Sequence, residues 1–196
     1  MSLGSQNPTP QSPVYTIMKN SFKTTLIISA FALLFSACTQ AQTTKHLDVG
    51  DAVPNFTLPD QDGHSFSIRD YMGKKVLVIY FYPKDESMVC TKEACAFRDS
   101  FDEFTKAGAM VIGVNGGTIE SHKEFQQHYK LPFTLLSDPD NKVYNAFGVK
   151  GKLFFTGRET LVVDLHGKIA YIHEAMMQGK EHADDALQFI RAANHK

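Results

Sequence analysis

Residues 76–95 read Val-Leu-Val-Ile-Tyr-Phe-Tyr-Pro-Lys-Asp-Glu-Ser-Met-Val-Cys-Thr-Lys-Glu-Ala-Cys, an apolar run followed by a polar segment and two cysteines. Residues 76–82 are almost wholly apolar, which predicts a central β-strand covered on both faces. Pro83 ends that strand. From residue 91 to 106 the apolar side chains recur at helical spacing, so one amphipathic helix is predicted there. Its inward residues are Ala94, Phe97, Phe101 and Phe104.

Strands and helices alternate on either side of this unit. Upstream, Asp62-Gly63 between apolar residues predicts an N-terminal β-hairpin. Downstream we predict strands at 110–114 and 132–136, and between them a helix that begins either at Ser121, with a capping box to Glu124, or nearer Thr118. A short helix from the Asp138 turn to Gly148, a hairpin at 160–164 and 168–173, and a helix at 181–193 are predicted after them. This order favours an α/β fold with helices on both faces of a sheet.

Composition excludes several classes of function. The chain has 196 residues and a formal net charge of −1, which gives no electrostatic basis for nucleic-acid binding. Its three cysteines are too few for a disulfide framework. None of the eight histidines stands with cysteines or carboxylates at metal-ligand spacing, and Gly116-Gly117 lacks the residues of a phosphate loop. The sequence therefore predicts no metal and no cofactor.

The N-terminal segment has the pattern of an export signal. Basic residues near Met18 precede an apolar run of about a dozen residues, too short for the roughly 18 that span a bilayer. The run ends Phe35-Ser36-Ala37-Cys38, which resembles a bacterial lipoprotein cleavage site with Cys38 as the lipidated residue. A plain signal peptide cleaved near Ala41 is the alternative. We expect residues 1–17 to be an extension or mis-assigned start, 18–37 a signal, 38–48 a tether and 49–196 one domain.

Cys90 is the strongest candidate for a reactive thiolate. It lies at a predicted helix start, where free N–H groups and the helix dipole stabilise an anion. Cys95 follows five positions later. A helix holds residues so spaced with Cα atoms about 8.7 Å apart. Disulfides rarely exceed about 7 Å between Cα atoms. A bond between Cys90 and Cys95 thus requires the helix to unwind.

The motif Pro83-x-x-x-Ser87-x-x-Cys90 resembles the active-site motif of the peroxiredoxins. The surrounding residues 80–85, 90–95 and 97–99, with 131–133 and 136–140 downstream, are similar to the bacterioferritin comigratory protein, or Q-type, branch. That branch usually has Thr-Pro-Gly where this chain has Ser87-Met88-Val89. The resemblance implies a thioredoxin-like fold with a central mixed β-sheet flanked by helices.

It also implies roles for six residues. Cys90 would attack peroxide and Cys95 would resolve the sulfenic acid as an intramolecular disulfide. Arg158 would stabilise the thiolate and bind peroxide oxygen. Ser87 would hydrogen-bond the same groups, Pro83 would shield the thiolate and Glu93 would orient the arginine.

Four of these residues have a simpler alternative role. The alternatives for three of them are a solvated loop position for Arg158, a solvated first-turn carboxylate for Glu93 and a helix cap for Ser87. Cys95 has the alternative of a core residue, with an external thiol resolving Cys90.

The implied function is reduction of hydrogen peroxide and organic hydroperoxides with a thioredoxin-like reductant, in antioxidant defence. We expect a monomer held at the cell envelope on the periplasmic side by a lipid anchor, or exported. Two other hypotheses remain: an envelope thiol-disulfide oxidoreductase, whose chemistry usually uses Cys-x-x-Cys, and an anchored binding module with incidental cysteines.

Overall fold

A computed structural model describes residues 45–151 and 157–194. The predicted signal, Cys38 and most of the tether lie outside these residues. The described strands are β1 (Thr57–Pro59), β2 (Ser65–Ser67), β3 (Val76–Phe81), β4 (Ala109–Asn115), β5 (Thr134–Ser137), β6 (Glu159–Val163) and β7 (Ile169–His173). The described helices are α1 (Met88–Asp99), α2 (Phe101–Lys106), α3 (Ile119–Tyr129), α4 (Lys142–Phe147) and α5 (Gly179–Asn194).

Strands β3 to β7 form a mixed sheet in the order β5-β4-β3-β6-β7. Strands β3, β4 and β5 are parallel, whereas β6 runs antiparallel to β3 and β7 antiparallel to β6. Strands β1 and β2 form the predicted antiparallel hairpin. The predicted α/β class, the central mixed sheet and the N-terminal hairpin are confirmed.

Both faces of β3 are buried, as its apolar sequence predicts. Val78 and Tyr80 pack with residues of α1, α3 and α5 in one core cluster. Leu77 and Ile79 point the other way because side chains alternate along a strand, and they pack with α4 and the hairpin. The same alternation puts Glu159 and Thr160 on opposite faces of the sheet, since Glu159 pairs with Phe81 and Thr160 with Tyr80.

The prediction of a single helix over residues 91–106 is wrong, because two helices cover this region. Helix α1 starts three residues earlier, at Met88, and ends at Asp99. Ser100 (φ −101°, ψ 8°) separates it from α2. The apolar periodicity carries through the break because Phe97 and Phe104 are buried in the same cluster. A pattern of faces therefore does not reveal that the backbone is interrupted.

Helix α3 starts near Thr118, the second of the two predicted positions. The Thr118 hydroxyl accepts a hydrogen bond from the Ser121 backbone N–H at 3.2 Å, so Thr118 is the N-cap. The capping box at Ser121 and Glu124 is wrong. At the other end of the next helix, Gly148 adopts φ 65° and terminates α4 as predicted. Within residues 45–151 and 157–194, every helix is too short or too polar to cross a membrane.

Candidate active site

Cys90 lies in the first turn of α1 and is almost completely buried, with 1% of its surface exposed. The polypeptide reaches it from the end of β3 through the loop at residues 82–87. Ser87 precedes the helix in extended conformation, and its backbone carbonyl accepts the Thr91 N–H at 2.8 Å. The structure thus confirms the prediction that Cys90 lies at a helix start.

Arg158 contacts the Cys90 sulfur directly. Its Nη2 donates to Cys90 Sγ at 3.0 Å, and its Nη1 donates to the Glu93 carboxylate. Arg158 Nε donates to the Met176 carbonyl oxygen at 3.1 Å. All three nitrogens of the guanidinium are therefore engaged, so the cation is fixed against the sulfur rather than free to swing.

Burial rules out the solvated alternatives for Arg158 and Glu93. Arg158 is 4% exposed and Glu93 is fully buried. A buried charge pair costs desolvation that its mutual attraction and hydrogen bonds must offset. In this pair the arginine also faces a sulfur, so a thiolate at Cys90 would add a second negative partner.

A neutral histidine lies behind the Glu93 carboxylate. His182 Nε2–H donates to the Ala175 carbonyl oxygen at 2.8 Å, and its Nδ1 accepts from the Thr160 hydroxyl at 2.8 Å. Nδ1 is also 3.6 Å from Glu93 Oε1. Burial lowers the pKa of His182 to about 4. His182 was not among the residues singled out from the sequence, and no local spacing links it to Cys90.

Gly179, the first residue of α5, allows this helix to approach α1. A Cβ at this position would lie 2.6 Å from the Val89 carbonyl oxygen and 3.1 Å from the Glu93 amide nitrogen. Both atoms belong to the turn of α1 that carries Cys90. A side chain at residue 179 would therefore push the two helices apart.

A second buried network holds the loop before Cys90. The Asp85 carboxylate accepts from Tyr82, Asn115, Ser121 and His122 at distances of 2.6–3.0 Å. Burial alone would raise the pKa of Asp85, but the hydrogen bonds, that from His122 first, outweigh it and lower the pKa. The network ties the loop to β4 and α3, and sequence analysis missed it because its members come from three separate elements.

The remaining predicted residues are Ser87, Pro83 and Cys95. The Ser87 hydroxyl donates to the Lys84 carbonyl oxygen at 3.1 Å and makes no capping hydrogen bond, so the alternative of a side-chain helix cap is wrong. Pro83 is partly buried in the same loop. Cys95 is partly buried, and Cys90 and Cys95 are both free thiols within α1.

The AhpC/TSA family matches residues 49–172 of this chain. The chain is 51% identical over 145 residues to peroxiredoxin Q, chloroplastic, of Oryza sativa subsp. japonica, covering 73% of this chain and 66% of the rice protein. It belongs to the AhpC/TSA family, in the peroxiredoxin Q branch. The predicted family is confirmed, and the chain spans a little under two thirds of the rice relative's length.

Solved peroxiredoxin structures share the fold. Peroxidoxin BcpB from Mycobacterium tuberculosis superposes with a TM-score of 0.71 at 33% identity, covering 75% of this chain and 98% of that protein. The bacterioferritin comigratory protein of Xanthomonas campestris gives a TM-score of 0.67 at 30% identity, covering 73% and 99%. The thioredoxin-like peroxiredoxin fold predicted from the resemblance is thereby confirmed.

Proposed function

We propose that this peroxiredoxin is a thiol-dependent peroxidase in which Cys90 is the peroxidatic residue. The observation that supports this assignment is the Arg158 guanidinium, which donates to Cys90 Sγ at 3.0 Å while Glu93 and the Met176 carbonyl fix its other nitrogens. A fixed cation at a buried sulfur favours the thiolate, and the thiolate is the nucleophile. The helix start adds to the same effect.

The first step breaks the O–O bond. The Cys90 thiolate attacks one peroxide oxygen, the sulfur is oxidised to a sulfenic acid, and the other oxygen leaves as an alkoxide or hydroxide that takes up a proton to give an alcohol or water. Arg158 stabilises negative charge first on sulfur and then on the leaving oxygen. Glu93 acts as a positioning residue because it holds Arg158 and does not touch the sulfur itself.

The second step forms a disulfide. The Cys95 thiol displaces water from the Cys90 sulfenic acid, which gives a Cys90–Cys95 bond. Both cysteines lie in α1, so its first turns must open for this step. A dithiol reductant of the thioredoxin class then exchanges with the disulfide and restores both thiols.

Organic hydroperoxides are included among the substrates. Met88, two residues before Cys90, is 74% exposed, and Met177, next to the carbonyl that holds Arg158, is 79% exposed. Exposed apolar side chains at these positions suit an alkyl group better than water. The Xanthomonas campestris protein is described for alkyl peroxide reduction, which supports the same substrate class here.

We also propose an antioxidant role at the cell envelope, with a monomer anchored through lipidated Cys38 or exported by a plain signal. The basic segment and apolar run near residues 18–37 support export. The rice relative is named chloroplastic, which describes that protein. Mass spectrometry of the mature N-terminus tests the anchor: a lipid-modified Cys38 supports it, and an unmodified terminus near residue 41 contradicts it.

Peroxide consumption by single-cysteine variants tests the assignment. We expect Cys90→Ser to abolish turnover with every reductant. Cys95→Ser is expected to lose turnover with thioredoxin and to retain a single oxidation of Cys90. Cys38→Ser is the matched control and leaves turnover unchanged. Full activity in Cys90→Ser contradicts the proposal, and disulfide exchange on proteins without peroxide consumption indicates the oxidoreductase instead.

A further inference from the structure

Glu159 presents a buried carboxylate on the face of the sheet opposite Cys90. The residue is 1% exposed, and neither carboxylate oxygen has a hydrogen-bond partner among the residues described. An isolated buried carboxylate is costly, so such a group requires a proton or a cation. Consistently, burial raises the pKa of Glu159 to about 7.

Two further ligand-type residues converge on this carboxylate. His46 Nδ1 lies 4.0 Å from Glu159 Oε2, and His46 Nε2 lies 3.1 Å from Glu174 Oε1. One ligand atom from each of the three residues lies within 4.8 Å of the others. The residues come from the N-terminal segment, the start of β6 and the loop after β7, so they are distant in sequence.

The orientation of His46 suits metal binding. Its Nδ1–H donates to the Gly148 carbonyl oxygen at 3.0 Å, so Nε2, 3.1 Å from Glu174 Oε1, is the nitrogen that can bind an ion. The 4.0 Å separation from Glu159 is measured to the hydrogen-bonded Nδ1. Metal-binding histidines typically donate their second nitrogen to a carbonyl or carboxylate in this way. Lys150 Nζ, 3.3 Å from Glu174 Oε1, is a competing cation for the exposed carboxylate.

We propose that His46, Glu159 and Glu174 bind one divalent transition-metal ion. One imidazole and two carboxylates form a nitrogen and oxygen ligand set of the type that Zn²⁺ accepts, with a fourth position open. The ion supplies the buried Glu159 carboxylate with the partner it lacks.

Bound metal would fasten the start of the domain to the sheet. Leu47 N–H donates to the Phe147 carbonyl oxygen at 3.2 Å, so the segment with His46 already lies against the end of α4. Glu159 follows Arg158 directly on the chain. A metal bridge between His46 and Glu159 therefore restrains the backbone next to the active-site arginine.

A second histidine and carboxylate group provides the control. Asp60, Asp62 and His64 also bring ligand atoms within 4.8 Å of one another, but His64 is largely exposed. Asp60 Oδ1 already accepts two backbone N–H groups, and Asp62 pairs with Lys123. Since these carboxylates have partners, we expect no stoichiometric binding there.

Calorimetric titration with zinc chloride tests the proposal. The full chain carries Cys38→Ser, Cys90→Ser and Cys95→Ser in every sample, without an affinity tag, so that no thiolate binds zinc. One site per chain is expected. Loss of a direct ligand in His46→Gln or Glu174→Gln is expected to weaken binding by at least the roughly 10- to 100-fold typical for loss of an outer-shell partner. His64→Gln is expected to bind like the parent chain.

Glu174→Gln keeps the test informative, because Glu174 is partly exposed and its replacement leaves the core intact. Glu159→Gln is added where circular dichroism shows it folded. Zinc is also expected to raise the melting temperature of the parent chain and not that of Glu174→Gln. Absence of stoichiometric binding overturns the proposal. Binding equal in parent, His46→Gln and Glu174→Gln overturns it as well.

Discussion

Arg158 is the residue on which the proposed chemistry depends, because its three nitrogens face three different partners. A lysine can replace the charge but not the fork that reaches Cys90, Glu93 and the Met176 carbonyl together. Arg158 and Cys90 are 68 positions apart in the sequence. Their contact follows from the pairing of β6 with β3, which sets the arginine beside the start of α1.

Replacement of Arg158 is therefore expected to reduce peroxidase activity strongly. Loss of one fixed donor to a developing anion typically costs about 100- to 1,000-fold in rate. We expect a loss of that order in kcat/KM for Arg158→Gln and a smaller one for Arg158→Lys, measured by peroxide consumption. Arg69→Gln, an exposed arginine in the short helical turn at residues 68–70, is the control. Equal activity of Arg158→Gln and Arg69→Gln contradicts the assigned role.

His182 is expected to make the protein less stable in acid. Its pKa of about 4 in the folded protein is below its ordinary value of 6.5, so the unfolded chain binds more protons between these values. This residue therefore lowers the free energy of unfolding as the pH drops from about 6.5 to 4. Urea unfolding at pH 7 and pH 5 should show a smaller acid loss in His182→Gln than in the parent. Equal losses contradict the prediction.

In the proposed mechanism, helix α1 is the element whose structure changes during catalysis. It contains both cysteines, starts directly at the loop held by Asp85, and packs against α5 through Gly179. Its part beyond Cys95 is anchored in the core by Phe97. The geometry therefore restricts the opening to the turns between Cys90 and Cys95.

Hydrogen exchange is expected to detect this opening. In the disulfide form, the backbone amides of residues 90–95 should exchange faster than in the dithiol form, while those of β3 remain protected. The comparison is made by mass spectrometry of peptides from both forms. Cys95→Ser treated with one equivalent of peroxide is the control, in which α1 keeps its protection. Equal exchange in dithiol and disulfide forms contradicts the unwinding.

The contact of α5 with α1 gives a prediction for stability. Gly179→Ala places a Cβ 2.6 Å from the Val89 carbonyl oxygen, and such overpacking typically costs about 1–3 kcal/mol. Gly116→Ala is the control, since its Cβ would meet nothing closer than 3.4 Å. Urea unfolding measures both. A free energy of unfolding for Gly179→Ala equal to that of Gly116→Ala contradicts the close approach.

At the scale of the whole molecule, apolar patterns predict most of the architecture. The strand at residues 76–82 was identified because both its faces are apolar, and the helix at the C-terminus because its apolar residues repeat every three or four positions. The break at Ser100 was not predictable in this way, since Phe97 and Phe104 share one core cluster across it. Periodicity reports which side is buried, not whether the helix is continuous.

The candidate functional residues also differ in whether the local sequence reveals them. Cys90 was identified from the local sequence because it lies at a predicted helix start, whereas the resolving role of Cys95 was identified through the family resemblance. The Asp85–His122 pair and the His46, Glu159 and Glu174 group are built from residues brought together only by the sheet topology. No spacing in the chain indicates them. Arg158 and Glu93 were identified through the family resemblance rather than from the residues alone.

In the proposed reaction, Cys90 attacks peroxide and Cys95 resolves the resulting sulfenic acid. Intact-protein and peptide mass spectrometry after one equivalent of hydrogen peroxide, with dimedone present to trap sulfenic acid, tests this directly. We predict a dimedone adduct on Cys90 in Cys95→Ser and a Cys90–Cys95 disulfide in the parent chain. An unmodified Cys90 in Cys95→Ser, with the oxidation found at Cys38 or at a methionine instead, would show that Cys90 is not the peroxidatic residue.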